Sequence, residues 1–127
     1  MENLEQKQED NLVGILAYIT LIGWIVALVL NNDKKGEAKA FGAYHLRQSL
    51  GLMIVGFVLA IALSILSAIL VAILSFLGFF SFLIFPIFSI GMLVLAILGI
   101  INAANNKMVP LPFIGKLIED KLKNTFE

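Results

Sequence analysis

Cysteine is absent from this 127-residue chain, which removes disulfides, thiolate nucleophiles and thiolate metal sites and leaves no marker of redox compartment. Charge is scarce as well. Nine basic and nine acidic residues cancel, so there is no basic excess of the kind that holds nucleic acid. Histidine occurs once, at His45, and no carboxylate lies between Glu37 and Glu119. A lone histidine is poor ligand equipment, and a paired acid and base, an activated nucleophile and a phosphate-cradling glycine loop are all missing. The expectation is a protein that is not an enzyme and uses no cofactor or metal.

What the chain has instead is apolar surface: 60% of its residues are hydrophobic, more than a soluble domain of this length can bury. The charge-free intervals organise it. Residues 12–30 carry no charge and, at about 1.5 Å per helical residue, match a hydrocarbon core of roughly 30 Å. Residues 48–106 carry none either, enough for two further spans. The expected fold is an all-α integral membrane protein with three transmembrane helices, at 12–30, 45–75 and 83–104. A Phe-rich turn at 76–82 joins the last two, with Pro86 in the opening turn of the third, where its missing N–H has no partner to lose.

The remaining segments are an acidic N-terminal tail at 1–11, a connection at 31–44 and a tail at 105–127. In the last, Phe113, Ile114, Leu117, Ile118 and Leu122 recur at helical spacing and predict an amphipathic interfacial helix over about 113–125. Eight of the nine basic residues fall in or beside the connection and in the C-terminal tail. The positive-inside tendency therefore puts the C-terminus in the cytoplasm and, with three spans, the N-terminus outside. The acidic start and the long first apolar run argue against a cleaved signal peptide, so the chain is expected as a multi-pass protein of the cell inner (plasma) membrane.

Two patterns suggest how the helices meet. Gly56, Ala60, Ser64, Ala68 and Ala72 recur every four residues, a ridge that lets another helix approach closely. Folding the hairpin at Gly78 sets Gly56 opposite Gly99 and Ser64 near Gly91, with Gly23 and Ala27 a weaker seam on the first helix. At the cytoplasmic end of this ridge stands "AYHLRQSLG", residues 43–51. His45, Gln48 and Ser49 share a face there, at the depth of Asn102, Asn105 and Asn106 on the third helix, and a polar interfacial cluster of these six is expected. Arg47 points away and reads as a headgroup anchor.

The segments "LAYITLIGWIVALVLNNDK", "FGAYHLRQSLGL" and "LAILGIINAANNKMVPLPFIGKL" resemble the small bacterial membrane proteins of the domain of unknown function 4870, which are similar to the twenty-kilodalton Tic subunit of the chloroplast import machinery. The resemblance implies no catalytic residues. The residues themselves predict a scaffold or subunit that sits in the lipid bilayer and associates with a second copy or other membrane subunits through its small-residue seams. The alternative, implied by the resemblance, is a component of a protein or solute translocation assembly.

Overall fold

The computed structural model describes residues 11–126, and the acidic stretch at 1–10 lies outside them. The described residues form helices joined by turns and irregular segments, with no strand among them. Helix α1 covers residues 11–16, α2 Leu21–Asn32, α3 Gly36–Ile73, α4 Gly78–Ala104 and α5 Gly115–Lys121, with a 3-10 turn at Ser75–Leu77 between α3 and α4.

The first apolar run is not one helix. The chain tightens at its middle, where Tyr18 and Ile19 bond back to the carbonyls of Ile15 and Leu16 at 3.2 Å. Thr20 then adopts an extended conformation and its hydroxyl accepts from the Gly23 N–H at 3.0 Å, capping a new helix. A Cβ at Gly23 would lie 2.7 Å from the Leu16 carbonyl oxygen, so glycine is what lets the two arms cross there. The expected span at 12–30 is therefore corrected to a helical hairpin. Its arms both lie along the first half of α3. Val13 and Gly14 meet Gly42 and His45, while Trp24 and Asn31 donate to the carbonyls of Leu46 and Lys39 at 3.1 and 3.2 Å. The turn of the hairpin, residues 17–21, borders a hollow with Ser49, Leu52 and Met53.

Beyond Met53, α3 and α4 continue alone as an antiparallel pair. The 21 residues from Met53 to Ile73 extend about 30 Å, and their outer faces expose Ile54, Phe57, Val58, Ile61, Ile65 and Ile69. Among the described residues these are the two helices long and apolar enough to cross a membrane.

The pairing of α3 with α4 differs from the expected one. Gly78 is not the turn but the first residue of α4, and the reversal comes earlier, where Leu74 is extended and closes α3. Moving the turn by three to four residues slides the partner strand of contacts by about two helical turns. Gly56 consequently faces the methyl end of Met92 at 2.7 Å (measured from a built Cβ), Gly78 meets Val71, and Gly91 faces open space. Gly99 packs on the Tyr18 ring instead of on Gly56.

The expected ridge also turns off the interface. Each step of four residues advances a helix by about 40° beyond a full turn, so five such positions cannot share one face of a straight helix. Gly56 and Ala60 are half-buried, but Ser64, Ala68 and Ala72 are exposed, and the half-buried line runs through Leu63, Ser67 and Leu70. The Ser64 hydroxyl donates to the Ala60 carbonyl of its own helix at 2.8 Å. Pro86 stands well inside α4 rather than in its opening turn, because α4 begins at Gly78 instead of Leu83.

Close packing at the base has a direct consequence. A Cβ at Gly51 would strike the Ile118 side chain, whereas one at Gly91 meets nothing within 4 Å. Gly51→Leu should lower the melting temperature of the detergent-solubilised protein, at a cost of about 1–3 kcal/mol for overpacking, while Gly91→Ala should leave it unchanged. An unaltered melt for Gly51→Leu would contradict the docking of α5 on α3.

Candidate functional site

From Phe41 to Ser49 every residue of α3 is buried. One stretch of helix is thus enclosed on all sides, by α1 and α2, by the end of α4 and by the C-terminal tail. Enclosure requires its polar side chains to find partners; His45, Arg47 and Gln48 each find a different station of the surrounding chain, while the Tyr44 hydroxyl is buried without a hydrogen bond.

His45 is fully buried between two partners. Its Nε2 lies 2.8 Å from the Lys107 carbonyl oxygen and its Nδ1 lies 2.9 Å from the Tyr18 hydroxyl. A carbonyl only accepts, so Nε2 carries the proton and the Tyr18 O–H donates to Nδ1. This neutral tautomer satisfies both ring nitrogens. The rings of Phe41, Tyr44 and Tyr18 surround the imidazole edge-on, with centroids 4.7, 5.4 and 5.6 Å away.

Gln48 joins the tail at two points: its amide nitrogen donates to the Gly115 carbonyl at 2.8 Å and its oxygen accepts from the Leu111 N–H at 3.0 Å. The side chain thereby does for the tail backbone what a neighbouring strand does elsewhere. A Cβ at Gly115 would come within 2.6 Å of the Pro110 backbone and 2.8 Å of the Gln48 oxygen, so glycine permits this approach. Ser49 turns inward to its own helix, donating to the Leu46 carbonyl at 3.1 Å, the same oxygen that receives the Trp24 indole.

Arg47 departs from expectation. Only 3% of its side chain is exposed, and its guanidinium donates to the Glu119 carboxylate through Nη2 at 2.6 Å and Nε at 3.1 Å and to the Thr125 carbonyl through Nη1 at 3.1 Å. Instead of anchoring to headgroups it clamps α5 onto α3. A planar guanidinium offers donors on several edges, which suits one residue to hold a carboxylate and a carbonyl at once. Its carbon chain and charge are covered by the tail that the spacing alone could not place.

The expected asparagine partners are not the ones used. Asn105 and Asn106 are exposed, and Asn102 reaches the Val109 carbonyl at 3.5 Å. Their role is to end α4. Asn106 has a positive φ of 59°, the Asn106 N–H donates to the Ala103 carbonyl at 3.1 Å, and the Lys107 N–H donates to the Asn102 carbonyl at 2.8 Å. This is a Schellman cap, in which asparagine is the residue after glycine that most readily accepts the left-handed conformation. The cap reverses the chain and aims the Lys107 carbonyl at His45. Tyr18, Glu119 and Thr125 were missed as members of the cluster. Tyr18 carried a signal, since it is a polar side chain in an apolar run, whereas Glu119, with Lys116, Asp120 and Lys121 around it in α5, carried none.

The amphipathic helix expected over about 113–125 is shorter, Gly115–Lys121. Gly115 and Ile118 are its buried edge, whereas Phe113 and Leu117 are exposed. One face therefore docks on α3 while the other stays open.

A helical hairpin of membrane-spanning length whose base is enclosed by a short N-terminal hairpin and a C-terminal wrap defines a small helical membrane protein whose buried His45, Arg47 and Gln48 are bonded within the chain. The chain belongs to the MamF/MmsF family, described as the magnetosome magnetite crystal formation protein family, whose model matches residues 9–118. No curated protein and no solved structure matches this chain. The match corrects the resemblance to the domain of unknown function 4870 and to the Tic subunit, and the translocation role implied by that resemblance goes with it.

Two substitutions test this core. Asn106→Val places a β-branched residue at positive φ and should destabilise the protein by about 1–2 kcal/mol, with Asn106→Gly neutral or mildly stabilising in the same thermal melt. Arg47→Met leaves Glu119 without its cation. Because the Glu119 side chain is 29% exposed, the cost should be on the order of 2 kcal/mol, below that of a fully buried pair. Glu119→Leu added to Arg47→Met should recover part of it, and strictly additive losses would contradict the clamp.

Proposed function

We propose that this protein is a non-enzymatic membrane scaffold that associates with a second copy or with other membrane subunits. The single observation that carries the reading is the internal use of the imidazole, guanidinium and amide groups of the enclosed stretch. His45, Arg47 and Gln48 are spent on Tyr18, Glu119 and tail backbone groups, and a buried histidine held between two partners has no substrate face. What the molecule presents outward is apolar helix, including Ile22, Ile25 and Val29 on α2 and Leu117 on α5. Such surfaces suit lipid and neighbouring membrane helices.

The proposed topology has two spans, α3 and α4, with α1 and α2 forming a hairpin that enters and leaves on the cytoplasmic side. Its support is the Asn11 side chain, which donates to the Ala104 carbonyl at 3.2 Å and so stands at the same end as the start of the C-terminal tail. Lys34, Lys35, Lys39, Arg47, Lys107, Lys116, Lys121 and Lys123 all belong to that base, and no charge occurs at the other end, which is the positive-inside pattern for a two-span protein. This replaces the arrangement with the N-terminus outside, which required residues 12–30 to cross. The membrane that houses the protein is, by family relation, one in which mineral crystals form, and the scaffold reading makes its part there the organisation of that membrane.

Since the chain has no cysteine, single cysteines report topology cleanly. Glu9→Cys, Asp33→Cys and Lys123→Cys should all react with a membrane-impermeant maleimide from the cytoplasmic side alone, and labelling of Glu9→Cys from the opposite side would overturn the two-span topology. For the scaffold itself, photo-crosslinkers at Ile22 and Leu117 in native membranes should capture a second copy or another membrane protein. Lipid adducts alone, together with a strictly monomeric solubilised protein, would remove that reading.

A further inference from the structure

A groove of about 430 Å³ runs along α4, lined by Leu59, Phe88, Leu95, Leu98 and the open space at Gly91, and it ends at Phe113. Phe113 is the most conspicuous side chain on the surface. It is 100% exposed, and its φ of 70° together with the Ile114 N–H bond to the Pro112 carbonyl at 2.8 Å makes it the centre of a γ-turn of the strained kind. Backbone strain held to project an aromatic ring into the open points to something that the ring meets. On the other side of the ring lies a second depression, formed by Val109, Pro110, Leu111 and Lys116.

The order along the surface is therefore a carbon-lined trough, an aromatic wall and a cation. It runs from the membrane-spanning part of α4 toward the charged base, the direction in which a lipid passes from acyl chain to headgroup. We propose that the groove seats an acyl chain of an anionic phospholipid from the bilayer, with Phe113 at the level of the glycerol backbone and Lys116 beside the phosphate. The groove contributes hydrophobic contact, and Lys116 contributes selectivity for the negative headgroup. Gly91 is what opens the trough, since any side chain there would project into space that is otherwise empty. This inference rests on the membrane reading above.

The test uses the purified full chain in detergent, with dioleoyl phosphatidylglycerol and dioleoyl phosphatidylcholine added in equal amounts and bound lipid counted by native mass spectrometry. Wild type should retain phosphatidylglycerol over phosphatidylcholine by about fivefold, the effect of one lysine at an anionic surface. Lys116→Gln should bring the ratio close to unity while still binding lipid. Gly91→Leu should fill the trough and lose both lipids, and neither variant touches the enclosed core, so lipid-free melting temperatures should match wild type. Equal retention of the two lipids by wild type, or undiminished retention by Gly91→Leu, would overturn the proposal. Release of the protein from membranes by alkaline carbonate would instead overturn the membrane reading itself.

Discussion

A polar group carried into an apolar enclosure must bring its partner with it, and in this protein that requirement is concentrated in a single turn of α3. His45, Arg47 and Gln48 each leave the helix at a different angle, so no one neighbouring helix could satisfy all of them. The chain meets this by returning. Lys107, Leu111, Gly115, Glu119 and Thr125 arrive in sequence order around that turn, and the Phe126 ring completes the circuit against Trp24 with centroids 5.4 Å apart. The tail is a wrap fastened at successive points, and its path is set by the polar side chains it must reach.

The two halves of the molecule are held together by different physics. At the base, hydrogen bonds and close packing act together: Gly42 lies against Asn31, Gly51 against Ile118 and Gly99 against Tyr18. Small residues there admit large partners, and specificity comes from shape as well as from polarity. In the outer half, α3 and α4 touch along one narrow line and leave the rest of their surface bare. Lipid must supply the remaining contacts, because within a bilayer the hydrophobic effect places helices without pairing them.

Much of this was legible in the sequence, and the rest failed for identifiable reasons. The long charge-free interval announced α3 and α4, and the cluster of polar residues at its threshold announced that something there had to be satisfied. The break at Thr20 was hidden because a cap needs only one hydroxyl, and a threonine in an apolar run has no feature that separates it from an ordinary membrane residue. The sequence alone sends Arg47 toward the headgroups because its partner, Glu119, stands 72 positions away, where no local spacing rule reaches. Depth alone puts the asparagines beside the cluster, but the property the chain uses is the tolerance of Asn106 for a positive φ. The register of the hairpin went astray through a single choice, Gly78 as the turn, because every pairing along two antiparallel helices inherits the position of the reversal.

The wrap also fixes an order of events during synthesis. The hairpin of α1 and α2 leaves the ribosome before α4, yet Asn11 bonds to Ala104 across 93 positions and Tyr18 packs on Gly99. Its binding place is therefore incomplete until α4 has been inserted. His45 in turn stays without its carbonyl until Lys107 emerges, and Arg47 without its carboxylate until Glu119 has been made. A polar helix turn therefore waits without its partners while the 72 positions separating Arg47 from Glu119 are made, and the base of the fold closes only after that stretch is in place.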